Sequence, residues 1–137
     1  MIIAVDFDGT IVQDRYPGIG NEMPFATQTL KMLLKEGHQL ILWTVREGET
    51  LEQAIDWCRQ RGVEFYAVNQ DFPGEDKDET AHYSRKIKAD MFIDDRAVGG
   101  LPDWGLIYEM IHDKKSMEEV LFGVRDSRHT RRKWWHF

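Results

Sequence analysis

The chain has 137 residues, 42% hydrophobic and 12% aromatic, so it is long enough to bury one core and too apolar to be disordered. Its one cysteine, Cys58, excludes an internal disulfide framework and fits a reducing compartment, with the cytoplasm the expected location. No apolar run approaches the ~20 residues that cross a bilayer, and the apolar start breaks at Asp6, which argues against a signal peptide as well. The net charge of −6 is uneven, because residues 125–137 carry five cations against Asp126 and leave the rest of the chain strongly acidic. We therefore expect one catalytic-size domain over residues 1–124 and a basic, aromatic tail over 125–137.

Ile2-Ile3-Ala4-Val5 reads as a strand buried on both faces, the kind found inside a parallel sheet. It runs into Asp6-Phe7-Asp8-Gly9-Thr10, where the strand must end, since unpaired charges are not buried in a sheet interior. Alternate residues of an extended chain point the same way, so Asp6 and Asp8 face one spot unless the chain turns between them. Two carboxylates at one spot repel, which favours a cation there, and hard oxygen ligands suit Mg²⁺. Residues 13–21 hold Pro17, Gly18, Gly20 and Asn21 and read as a loop. Pro24 opens a helix with Ala26, Leu30, Leu33 and Leu34 at helical spacing, and Gly37 stops it.

A second strand, residues 39–43, runs into Thr44-Val45-Arg46-Glu47-Gly48. The next helix carries Leu51, Ala54, Ile55 and Cys58 on one face and ends at Gly62; Cys58 is read as core. Residues 63–68 are a third strand, residues 69–83 an exposed acidic loop, and residues 89–93 a fourth strand ending at Asp94-Asp95-Arg96. Asp103 caps a further helix through Ile107 and Ile111, and residues 117–122 start a last one. The alternation of helix and strand predicts an α/β, Rossmann-like, three-layer fold with a mainly parallel central sheet. Ligands of such sheets bind beyond the carboxyl ends of the strands, where Asp6, Asp8, Thr44, Asp94 and Asp95 would meet.

The order Asp6-Phe7-Asp8-Gly9-Thr10, then Thr44, then Lys86, then Asp94-Asp95 resembles the four motifs of the haloacid dehalogenase (HAD) superfamily of phosphoryl-transfer enzymes. The resemblance covers residues 2 to about 100 and implies Mg²⁺-dependent hydrolysis of a phosphate monoester. It makes Asp6 the nucleophile and a metal ligand, Asp8 the general acid and base with its backbone carbonyl on the metal, and Asp94 a further ligand. Asp95 supports the metal shell, or points away into a helix cap or salt bridge. Thr44, Val45 and nearby backbone N–H groups hold the phosphoryl oxygens, and Lys86 offsets phosphate charge; Lys88 is the alternative lysine. An aspartate at the position of Asp8 favours phosphatases over dehalogenases.

The gaps over residues 11–37 and 69–85 are too short for a cap domain, so the resemblance is to a capless member with an open site. The tail, ending Arg131-Arg132-Lys133-Trp134-Trp135-His136-Phe137, suits packing or a homodimer contact ahead of nucleic-acid binding, because the acidic body disfavours a polyanion. The histidines His38, His82, His112, His129 and His136 show no metal-ligand spacing. Gly99-Gly100 reads as a close approach to the metal site or as a plain turn. The rival functions are a phosphotransferase, a nucleic-acid end phosphatase and a phosphate-binding regulatory domain with little turnover. The substrate itself is not written in these residues.

Overall fold

The computed structural model describes residues 1–70 and 88–114. Residues 71–83 of the acidic loop, with His82, and Lys86, the expected last helix and the basic tail lie outside the described residues. The chain forms two compact units, Met1–Leu101 and Pro102–Phe137.

In the first unit, four parallel strands are β1 (Ile2–Val5), β2 (Gln39–Leu42), β3 (Ala67–Val68) and β4 (Met91–Ile93). They lie in the order β3-β2-β1-β4. Ile3, Ala4 and Val5, with Leu40, Ile41 and Leu42, are essentially inaccessible, as apolar runs in an all-parallel sheet require. The register sets Ala4 opposite both Ile41 and Phe92, and Val5 opposite Leu42 and Ile93. The strands therefore finish together at one edge, which is an α/β sheet of the Rossmann type.

β3 and β4 are shorter than expected. Backbone pairing starts at Ala67 and Met91, although Tyr66 still donates its N–H to Leu40 and Asp90 to Ile2. Helix α1 (Ala26–Lys35) buries Leu30 and Leu33. Its N-cap residue, Phe25, gives no side-chain hydrogen bond; Glu22 instead accepts from the backbone N–H and hydroxyl of Thr27 at 2.9 and 2.6 Å. A carboxylate at a helix start complements the helix dipole. Helix α2 (Gly48–Gln60) buries Ala54 and Cys58. Burial pushes the Cys58 thiol up to about 12, which makes it a core residue rather than a nucleophile.

The second unit contributes α3 (Trp104–His112), capped by Asp103, whose carboxylate accepts from the Leu106 N–H at 2.9 Å. Trp104, Ile107 and Ile111 are its buried residues. Among the described residues, no helix is long and apolar enough to cross a membrane.

Candidate active site

Since β1 lies between β2 and β4, the chain's course across the sheet reverses beside β1, and ligands of open parallel sheets collect at that break. The backbone ties the strand ends together there. Asp6 donates its N–H to Ile93 O at 3.0 Å, Trp43 to Val5 O at 2.8 Å and Asn69 to Leu42 O at 2.8 Å.

Beyond Val5 the chain does not stay extended. Phe7 plunges into the core, and its carbonyl accepts from the N–H groups of Thr10, Ile11 and Val12 at 3.1, 2.9 and 3.3 Å. Asp6 precedes this turn and Asp8 lies within it, so the two carboxylates part. Gly9 makes the turn possible: its φ is +86°, and a Cβ there would lie 2.5 Å from Asp95 Oδ2.

Asp6 joins Asp94 and Asp95, with one carboxylate oxygen from each lying within 4.8 Å of the others. Thr10, fully buried, stitches this cluster. Its hydroxyl lies 3.3 Å from Asp6 Oδ2 and 3.2 Å from Asp95 Oδ1, positioned to donate, and accepts the Asp95 N–H at 3.0 Å. Burial, and then the negative charge of Asp94, push the Asp6 carboxyl up to about 7. Three anionic oxygen donors crowded beside an open cleft fit a small hard cation such as Mg²⁺, which is held by one or two carboxylates plus water and substrate oxygens.

The side chain of Asp8 goes elsewhere. Both of its oxygens accept from Arg46, from Nε and Nη2, each at 2.7 Å. Arg46 is 1% exposed, and its remaining N–H groups reach the carbonyls of Pro17, Thr50 and Gly18 at 3.2, 3.3 and 2.6 Å. Every guanidinium hydrogen thus has an acceptor, and the Arg46 Cζ lies over the rings of Phe7 and Tyr16, 5.2 and 5.1 Å from their centroids. The hydrogen bonds that Arg46 donates to Asp8 raise its pKa further and keep it cationic.

Thr44 and Val45 line the same cleft as Asp6, Asp8 and Asp94, together with Asp14, Tyr16, Trp43 and Arg96; its volume is about 440 Å³. Thr44 is fixed at both ends, donating its N–H to Asn69 Oδ1 at 2.8 Å and accepting the Arg46 N–H on its hydroxyl at 3.1 Å. Lys88 is exposed and precedes β4, at the amino end of the sheet, so it is on the edge opposite the cleft. Lys86 lies outside the described residues.

The structure thus brings Asp6, Asp94 and Asp95 to one point and Asp8, Thr44 and Val45 to the adjoining wall. Sequence reading missed Thr10 and Arg46. For Arg46 the signal was only general: four aspartates at one sheet edge call for a cation, but Arg96 also follows a strand that ends there, so nothing in the sequence singled Arg46 out. Thr10 was in the first motif, but a threonine in a turn gives no sign that it will be buried.

No family model matches the chain. A protein of Bacillus cereus named as a proposed nucleotidase is 35% identical over 75 residues, 53% of this chain. That match spans only 38% of the relative's length. A D,D-heptose 1,7-bisphosphate phosphatase from B. bronchiseptica, solved with magnesium and phosphate, shares 19% identity over 49% of this chain and 47% of its own, with a TM-score of 0.39. The structure of a conserved protein from Bacteroides thetaiotaomicron has a TM-score of 0.79 and 63% identity, covering 88% of this chain and 96% of that one. At that identity and coverage, the chain belongs to the same family as this conserved Bacteroides protein.

Proposed function

We propose that the protein is a capless, Mg²⁺-dependent hydrolase of phosphate monoesters of the HAD type, working through a phospho-aspartate on Asp6. The observation that carries this reading is the meeting of Asp6 with Asp94 and Asp95 at the carboxyl edge of the sheet, beside a cleft walled by Asp8 and Thr44. Asp6, Asp94 and Asp95 would hold the cation. When bound, Mg²⁺ supplies positive charge that favours the ionised Asp6 and balances the phosphoryl oxygens.

The chemistry of the chain follows. An oxygen of Asp6 attacks phosphorus, the ester P–O bond breaks, and its electron pair leaves on the alcohol oxygen, which takes the proton carried by the acid form of Asp8 and leaves Asp8 as its carboxylate. Water then attacks the phosphorus of the aspartyl phosphate and gives its proton to Asp8. The P–O bond to Asp6 breaks, which restores the carboxylate and frees inorganic phosphate. Thr44 and the backbone around Val45 orient the phosphoryl oxygens throughout. Tyr16, Trp43 and the exposed Val45 give the outer cleft an apolar, partly aromatic wall. That wall and the proposed nucleotidase among the relatives make nucleoside monophosphates the first esters to try.

The test is phosphate release from aryl, nucleotide and sugar phosphates and a phosphorylated oligonucleotide, with and without Mg²⁺, by wild type and Asp6→Asn. Metal-dependent release that disappears in Asp6→Asn is expected. An intact protein that hydrolyses none of them in Mg²⁺ overturns the reading.

A further inference from the structure

We infer that Arg46 is a positioning residue for Asp8, and that it makes the Asp8 carboxylate and the loop over residues 13–18 one mechanical unit. The inference rests on the proposed role of Asp8 for its kinetic arm and on geometry alone for its structural arm.

Three observations point to it. Arg46 meets both oxygens of Asp8 at 2.7 Å, a two-point contact that fixes the rotation of the carboxylate as well as its place. It does so while 1% exposed, with Asp8 13% exposed and lining the cleft, so the fixed group looks outward from a buried anchor. The same guanidinium holds the carbonyls of Pro17 and Gly18 and stacks on Tyr16, while Asp14 and Tyr16 form part of the cleft wall. A stability role alone would call for a buried counter-ion; here the counter-ion is the one carboxylate of the first motif that stays out of the acidic cluster.

Two further arginines differ in kind. Arg59 pairs with Asp56 on the surface, and Arg61 lies over the ring of Trp57 with its guanidinium 3.7 Å from the centroid, both on or beside α2. Neither lines the cleft. Arg46 alone among these ties a proposed reacting group to a substrate-facing loop. Lysine cannot replace it, since an ammonium makes no planar two-point contact.

The kinetic test uses the leaving group. A nitrophenolate departs without a proton, whereas an alkyl alcohol needs one, and kcat/KM reports steps up to the first irreversible one. If Arg46 works through Asp8, Arg46→Lys should cut kcat/KM roughly 10²-fold for an alkyl phosphate and less than about 10-fold for nitrophenyl phosphate. Equal losses for both esters would make Arg46 merely structural and overturn the inference. The structural test is backbone amide exchange. Residues 13–18 should exchange at least about tenfold faster in Arg46→Lys and in Asp8→Asn, with β1 and β2 still protected. Should Arg46→Lys fail to fold, Asp8→Asn decides, and unchanged exchange of the loop overturns the inference. Should the wild type hydrolyse no ester, the phosphatase reading falls, and exchange still judges the clamp.

Discussion

Asp6 and Asp8 are two residues apart and live in opposite electrostatic worlds. Asp6 sits among like charges, part-buried beside Asp94 and Asp95, within hydrogen-bond reach of the Thr10 hydroxyl. Asp8 meets a full positive charge on both oxygens. One site is a deficit that a cation or a proton must fill, and the other already has a cationic partner. The turn around Phe7 creates the difference, since it directs one carboxylate toward β4 and the other toward the loop after β2. Two carboxylates of one motif can thus be given separate chemical duties by the single buried residue between them.

The sharpest way to break this contrast is to remove the unbalanced member. Asp6→Asn should lower phosphate release by roughly 10⁴-fold or more, as loss of a covalent nucleophile does. Removing the balancing charge comes next. Arg46→Ala leaves Asp8 and several carbonyls without donors and should cost about 3–5 kcal/mol in urea unfolding. Thr10→Val keeps the shape but strips the hydroxyl that accepts the Asp95 N–H. It should cost about 1–3 kcal/mol and weaken Mg²⁺ binding about tenfold, read by urea melts and calorimetry.

The smallest effect is a pH dependence. Asp6 titrates near 7 in the folded chain against 3.8 for the free group, so between about pH 4 and 7 the folded state holds a proton that the unfolded state has lost. Without divalent metal, this group's contribution to stability therefore falls as pH rises through that window and is level above it. Thermal melts should find Asp6→Asn more stable than wild type at pH 8, with the gap closing toward pH 4. Mg²⁺ should raise the wild-type melting temperature more than that of Asp6→Asn.

Much of this arrangement was legible in the residues. Apolar runs ending in Asp6, Thr44 and Asp94 fixed a parallel sheet and a shared edge, because burial on both faces leaves charged residues only the strand ends. The extents of β3 and β4 were not, since Val63 and Ala89 satisfy the apolar pattern without joining the ladder. Nor was the divergence of Asp6 and Asp8. Period-two alternation describes a strand, and it fails where Gly9 takes a positive φ and the backbone folds back on Phe7 O. Arg46 was hidden for another reason: Asp8, Pro17 and Gly18 lie 28 to 38 residues away from it in the chain, and no local pattern encodes a long-range ion pair.

Trp43 leaves β2 and lines the cleft at 36% exposure, next to Thr44. An indole in that place is an optical reporter built into the wall. Ligands entering the cleft would change its polarity and quenching, so emission lost in Trp43→Phe isolates its signal from the other four tryptophans. Titrated with Mg²⁺, inorganic phosphate or a nucleotide, the untagged protein would announce occupancy by its own fluorescence, before any product had formed.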